Sequence, residues 1–241
     1  MQDKRFISSL LKSNGTVLDI GCADGYLTNL IFQDVKATVT GIDKCQHSIN
    51  IANDAYNNIT FKKFDIESDN INSLGTFDIV TCYHVLHHID DIDNIKRILK
   101  LVNPNGWLII RTCSDSQDYK LNKDNPDLDW LLNVTGTLPN SSNRKHADLL
   151  EDQLEQLQLS YLYHPFVINT ENMNSEQKTN FFDDNYGFRV DNLAQLAAKD
   201  SSYTHLYQKV VMIIAKQREN FKANKVFSQT NQPTFIIQNR S

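Results

Sequence analysis

No two cysteines of this chain stand close enough to form a CxxC pair. Cys22, Cys45, Cys82 and Cys113 are widely spaced. That excludes a knuckle-type zinc site and argues against a disulfide framework, so four reduced thiols in a cytoplasmic protein are expected. Nor does any apolar run approach the ~20 residues of a membrane span. The opening MQDKRFISSLLKSNG lacks a continuous apolar h-region, so no signal peptide is read. Positive charge is in short supply: 24 Lys+Arg stand against 29 Asp+Glu, a net charge of −5. This argues against a nucleic-acid binder held by a basic surface. Disorder of the whole chain is excluded, because 40% of the residues are hydrophobic and 10% aromatic. At 241 residues the chain is long enough for one large domain with a core that needs no staples.

Strand and helix signals alternate through the first 112 residues. An amphipathic helix over 3–13 stops at Asn14-Gly15. Thr16–Ile20 is an apolar, β-branched run that meets the turn Gly21-Cys22-Ala23-Asp24-Gly25. A helix from Tyr26, a strand over 37–42 ending in Asp43, and a helix over 45–56 follow. A strand over 59–64 ends in Asp65. Phe77–Cys82 is a fourth strand, 91–102 a helix, and Trp107–Thr112 a fifth strand. The alternation predicts an α/β fold with a parallel sheet and helices on both faces. The second half is less periodic. Helices are expected near 128–134, 147–159, 174–185 and 190–199, a strand at 160–168 and a buried strand at KVVMIIA (209–215). Residues 219–241 read as a flexible tail in which Phe235-Ile236-Ile237 could dock. No linker divides the chain, so residues 1–218 are expected to form a single domain.

Chemistry concentrates at the predicted strand ends, where open α/β sheets bind ligands. The glycine turn 21–25 lets backbone approach a ligand closely. A dinucleotide fingerprint starting at Gly21 would need glycine at positions 23 and 26. Ala23 and Tyr26 stand there instead, with Gly25 one residue early, which weakens a nicotinamide-cofactor reading. Asp43 ends strand two and can accept from the ribose hydroxyls of a nucleoside, or cap the next helix. Asp65 ends strand three and can accept from an adenine amine, or serve as a loop acid. Strand four runs into Tyr83-His84-Val85-Leu86-His87-His88.

The series VLDIGCADG, GID, FD, FDIVTCYHVLHHIDD and VNPNGWLII resembles the class I S-adenosylmethionine-dependent methyltransferases, in the branch of small-molecule and ubiquinone/menaquinone-biosynthesis enzymes. The resemblance covers about residues 15–113. It implies a Rossmann-like, doubly wound seven-stranded sheet of order 3-2-1-4-5-7-6. Its last strand in sequence would be antiparallel, supplied by KVVMIIA. It also implies S-adenosylmethionine as cofactor and S-adenosylhomocysteine as product. Gly21, Ala23 and Gly25 would line the methionine part and Asp19 would hold its amino group. Asp43, with Lys44 beside it, would take the ribose. Asp65 would take the adenine amine, with Ile66 flanking the ring, and Tyr83 and His84 would sit beside the sulfonium. His84 is the candidate general base, while His87-His88 shapes the turn. No metal is expected.

Residues 114–145 and 169–204 would be lid insertions over the acceptor. Their aromatics include Tyr119, Trp130, Phe181, Phe182, Tyr186, Phe188 and Tyr203, and the group around Phe181 would wall a pocket or pin the insertion. The absence of an Asn/Asp-Pro-Pro-Tyr/Phe segment argues against adenine methylation in DNA. The expected activity is methyl transfer to an O, N or C atom of a small molecule. The alternatives are a protein or tRNA methyltransferase and a non-catalytic cofactor-binding protein.

Overall fold

The computed structural model describes residues 2–11, 14–89, 91–112, 119–121, 125–138, 146–223, 225 and 228–240. Asp90, Cys113 and parts of the first expected insertion lie outside these. In chain order the elements begin with α1 (Gln2–Leu10), β1 (Gly15–Ile20), α2 (Tyr26–Phe32), β2 (Ala37–Asp43), α3 (Gln46–Ala55) and β3 (Thr60–Lys63). Then come β4 (Phe77–Tyr83), α4 (Ile92–Leu99), β5 (Val102–Arg111), β6 (Tyr119–Leu121), α5 (Pro126–Gly136), α6 (His146–Gln156), β7 (Tyr161–Tyr163) and β8 (Phe166–Asn169). The chain closes with α7 (Ser175–Phe182), α8 (Phe188–Lys199), α9 (Thr204–Lys222), β9 (Ser228–Gln232) and β10 (Thr234–Gln238). Among the described residues, no helix is long and apolar enough to cross a membrane.

The chain forms two compact units where a single domain was expected. One comprises residues 1–113, 145–165 and 233–241, the other residues 114–144 and 166–232. The first holds a seven-stranded sheet of order β3-β2-β1-β4-β5-β10-β7. Counted within this sheet alone, that order is 3-2-1-4-5-7-6. β1–β5 are parallel, and β10, the last strand, runs antiparallel to both β5 and β7. Strands buried on both faces carry near-continuous apolar runs, because each face needs its own helices. Leu18, Ile20, Val80, Cys82 and Leu108 pack on one face with Ile95 and Ile98 of α4 and Leu150 and Leu154 of α6. Val17, Ile79 and Ile109 pack on the other with Ile7 of α1, Ile31 and Phe32 of α2, and Ile49 of α3.

The sheet is as the resemblance implies, but a different segment supplies its antiparallel strand. KVVMIIA lies inside helix α9. Its β-branched run imitates a strand, yet burial follows a helical period: Val210, Ile213, Ile214, Gln217 and Phe221 are inside, while Met212 is 73% exposed. The strand is β10, from the stretch read as a flexible tail, and Phe235, Ile236 and Ile237 are buried in the sheet. That tail also contains the end of α9 and all of β9. The single strand expected over 160–168 is two strands, β7 and β8, in different sheets. They part at His164-Pro165, where proline cannot donate to a ladder.

The second unit holds a three-stranded antiparallel sheet, β6-β9-β8, and helices α5, α7, α8 and α9. Phe181, Phe182 and Tyr186 are buried with Leu128, Leu131, Val210 and Phe221. The rings of Phe182 and Tyr186 stack at 4.8 Å. These aromatics therefore form a core of their own, which is why the sequence between 169 and 204 is richer in aromatics than a surface loop.

Candidate functional site

A cavity of about 570 Å³ opens at the carboxyl ends of β1, β2, β3 and β4. The turn after β1 shapes one wall. Gly21, Ala23 and Gly25 all have positive φ, at 74°, 47° and 77°. At Gly21 a Cβ would lie 2.1 Å from Val85 Cγ2, so only glycine fits there. The turn is hooked to the end of β2. The N–H groups of Gly21 and Cys22 donate to the Ile42 carbonyl at 2.8 and 3.0 Å, and Ala23 N–H donates to Asp43 Oδ2 at 3.1 Å.

Asp43 ends β2 with its other oxygen, Oδ1, accepting from Cys45 N–H at 2.8 Å. This bond serves the residue that precedes helix α3, and no side chain caps the helix itself. Asp65 follows β3. Its Oδ1 accepts from Glu67 N–H at 3.0 Å, and its own N–H donates to Asp69 Oδ2 at 2.8 Å. His84 follows β4 with φ +57°, an uncommon conformation away from glycine, and its N–H donates to the Arg111 carbonyl at 2.8 Å. His87 and His88 continue the imidazole series, with ring centroids 6.3 Å (His84–His87) and 4.0 Å (His87–His88) apart. Burial, and then the nearby Lys44 charge, lower the His88 pKa, which favours the neutral ring.

Of the residues expected at the site, Gly21, Ala23, Asp43, Lys44, Asp65, Ile66 and His84 line this cavity together. Asp19, Gly25 and Tyr83 do not. Gly25 precedes α2, and a Cβ there would lie 2.7 Å from Phe61 Cζ. Tyr83 is buried, with the Arg111 guanidinium carbon 4.5 Å from its ring centroid. Asp19 is buried and accepts from Thr28 Oγ1 at 2.5 Å and Thr81 Oγ1 at 2.7 Å. Burial pushes its pKa up to about 6, against the lowering effect of the two hydroxyls.

Ile20, Ile42, Phe64, Glu67, Val85, His88 and Ile89 complete the lining. Ile20, Ile42 and Phe64 each stand one residue from a predicted site residue, so the strand-end rule could have found them. Val85 also stands next to a predicted residue, His84, but its contact with Gly21 spans 64 residues of sequence and had no local signal.

Ala23 carries a prediction of its own. A non-glycine residue in the left-handed region costs about 1–2 kcal/mol, and glycine returns about 0.5–1 kcal/mol of that as chain entropy. Ala23→Gly should therefore change stability by no more than about 1.5 kcal/mol and keep the bond to Asp43. Thermal melts check the first expectation. If the site takes the cofactor that the sequence resemblance implies, calorimetry with S-adenosylhomocysteine should show affinity within about threefold of wild type, an energy change below about 1 kcal/mol. A tenfold loss would assign the methyl group a contact of its own.

Comparison with known proteins agrees with this fold. The family model described as "Methyltransferase domain" matches residues 2–164, well over half of the chain. The ubiquinone biosynthesis O-methyltransferase of Bordetella avium (strain 197N) is 34% identical over 101 residues, which are 40% of this chain and 42% of that protein. The matched stretch thus covers about two fifths of the curated relative. Among solved structures, the cyclopropane synthase MmaA2 of Mycobacterium tuberculosis superposes with a TM-score of 0.56 at 14% identity, covering 98% of this chain and 83% of that one. Phosphoethanolamine N-methyltransferase 2 of Haemonchus contortus, solved with S-adenosyl-L-methionine, gives 0.54 at 15% identity, covering 100% and 52%. Identities this low speak for the fold alone. With the family model, the strand order and the motif order in agreement, the chain belongs to the methyltransferase-domain family, with the class I fold.

Proposed function

We propose that this protein transfers the methyl group of S-adenosylmethionine to an oxygen, nitrogen or carbon atom of a small-molecule acceptor and releases S-adenosylhomocysteine. One observation carries the reading. Asp43 and Asp65, from neighbouring strand ends, meet the glycine turn around a single cavity. The donor set suits a nucleoside: two carboxylates accept from hydroxyl and amine groups, while Ile42, Phe64, Ile66 and Ile89 offer apolar walls to a flat ring. In this reading Asp43 binds the ribose hydroxyls, with Lys44 beside them. Asp65 binds the adenine amine and Ile66 covers the ring. The backbone of Gly21 and Ala23 faces the methionine part, and Gly25 closes the turn into α2. Asp19 supplies the counter-charge for its amino group, and His84 borders the sulfonium.

The bound cofactor supplies an already activated methyl group. The chain's own work is then mainly alignment, worth up to about 7–11 kcal/mol of the barrier. His84, at the strand end and on the cavity wall, takes the acceptor proton where the acceptor must lose one, adding about 10²–10⁴-fold. The relative's name, an O-methyltransferase of ubiquinone biosynthesis, supports a small-molecule acceptor. The separated thiols support a cytoplasmic setting.

The test is binding followed by turnover. Calorimetry should detect S-adenosylhomocysteine binding. Incubation with methyl-labelled S-adenosylmethionine and the small-molecule fraction of a cell extract should move label into a product. Absence of binding sinks the cofactor reading. Binding without any labelled product sinks the transferase reading.

A further inference from the structure

Asp19 does not line the cavity, yet it sits directly behind the turn that does. It is 6% exposed, and the two hydroxyls it meets come from different elements. Thr28 belongs to helix α2 and Thr81 to strand β4, and both are fully buried. A helical threonine ordinarily returns its proton to a carbonyl in the preceding turn. Thr28 instead donates to Asp19 Oδ2 at 2.5 Å, and Thr81 Oγ1 donates to Oδ1 at 2.7 Å. The Leu18 carbonyl also lies 3.4 Å from Thr81 Oγ1, but one hydroxyl has one proton and the shorter contact is the bond. Each carboxylate oxygen thus accepts one hydroxyl proton. Hydrogen bonds donated to both oxygens favour the charged form, which accepts from both, over the acid, whose own O–H has to be accepted by one of the two hydroxyls.

We infer that Thr28 and Thr81 are positioning residues, which hold Asp19 ionised and aimed from behind the turn so that it can act as counter-charge to the ammonium group of the bound cofactor. The inference rests on the cofactor reading above. Without the two donors, only the burial that raises its pKa would act on Asp19, and less of it would be charged to meet the ammonium.

The charged and titratable surroundings of Asp19 are few. Cys22 follows it on the turn, and Cys82 follows Thr81 on β4 with its side chain on the other face of the sheet. Both thiols feel its charge and are pushed up by burial. Asp24 and Asp43 flank Cys22 from the turn and β2. Helix α2, YLTNLIF, carries no acid or base apart from Tyr26. His84 and His88 lie on the cavity wall, so they enter the pH dependence of binding, but equally in every variant compared below.

The experiment is the affinity of the full chain for S-adenosylhomocysteine, measured by calorimetry from about pH 5 to about pH 8, where only the ionised Asp19 binds the ammonium well. Wild type should lose affinity about tenfold per pH unit below a break point. Thr28→Val, which keeps the shape and removes the donor, should move that break point up by about one pH unit. Affinity at about pH 5 should then fall about tenfold while affinity at about pH 8 changes little. Thr28→Ser should restore the wild-type profile, and Thr81→Val should shift it in the same direction. A merely structural role would lower the melting temperature and displace the whole profile in parallel. That result, or an unmoved break point, overturns the inference. Should the valine variants fold poorly, the Asp19 carboxyl titration followed by carbon-13 NMR in Thr28→Ser and in a Thr28→Ala variant without ligand gives the same comparison. Equal midpoints there overturn it too. Failure of wild type to bind at pH 8 is a distinct result, and it removes the cofactor reading together with everything built on it.

Discussion

Asp43→Ala should weaken S-adenosylhomocysteine binding by about 10- to 1,000-fold while the protein stays folded. Both ribose hydroxyls would donate to this carboxylate, and charge-assisted bonds are worth about 1.5–3 kcal/mol each before non-additivity. Each oxygen already accepts one backbone N–H, from Ala23 and from Cys45, and keeps a lone pair for a second donor. The substitution therefore removes the ligand's partner and loosens the glycine turn together. The cost to folding is about 0.5–2 kcal/mol, the range for a lost side-chain bond to helix-end backbone. Ala23 and Cys45 are both exposed, so their N–H groups can turn to water. A purely structural Asp43 predicts the reverse: a lower melting temperature with unchanged affinity in the folded fraction. Calorimetry and a thermal melt on one preparation separate these outcomes. A dissociation constant within twofold of wild type would withdraw the ribose assignment.

Asp19→Asn should make the protein more stable and the cofactor site worse. Burial raises the Asp19 pKa from 3.8 to about 6 in the folded chain. A raised folded pKa means that the group's contribution is fully present below the unfolded value of 3.8 and is lost as the pH rises through about 6. At about pH 8 the charged Asp19 therefore costs about 3 kcal/mol, from about 1.4 kcal/mol per pKa unit. Asparagine keeps the shape without the charge, and its amide can donate to one threonine hydroxyl and accept from the other. The melting temperature at about pH 8 should rise by several degrees, at about 2–4 °C per kcal/mol for a chain of this size. The gain should shrink as the pH falls from 6 towards 4. Affinity for S-adenosylhomocysteine should fall by about 10–100-fold, the effect of a buried charged partner lost. A variant less stable than wild type at pH 8 would show that the carboxylate is fully compensated where it lies. Unchanged affinity would show that it has no ligand to serve.

Several residues expected from the sequence meet in the structure because strand ends are local features. Asp43 and Asp65 each follow a short strand signal, and a parallel sheet brings consecutive strand ends to one edge whatever the rest of the chain does. Gly21 was legible for the same reason, as a turn between a strand and a helix. Asp19 was legible as an acid near the turn. Its setting was not, because Thr28 and Thr81 reach it from a helix and from a strand 62 residues away.

What the amino-acid order determined by itself is the succession of strands and helices through residue 112 and the chemistry at their ends. Period, β-branching and turn residues act over a few positions and need no distant partner. The tertiary structure alone decided which segment completes the sheet. The stretch TFIIQ is five residues long and sits among polar neighbours, whereas KVVMIIA offers a longer β-branched run. A strand's identity in a sheet depends on backbone hydrogen bonds to both neighbours, and β10 finds those on β5 and β7. KVVMIIA meets helices instead, and buries Val210, Ile213 and Ile214 on one side of α9 at helical spacing. The choice between those segments lies in the pairing and packing each obtains after collapse, and no local propensity carries that information.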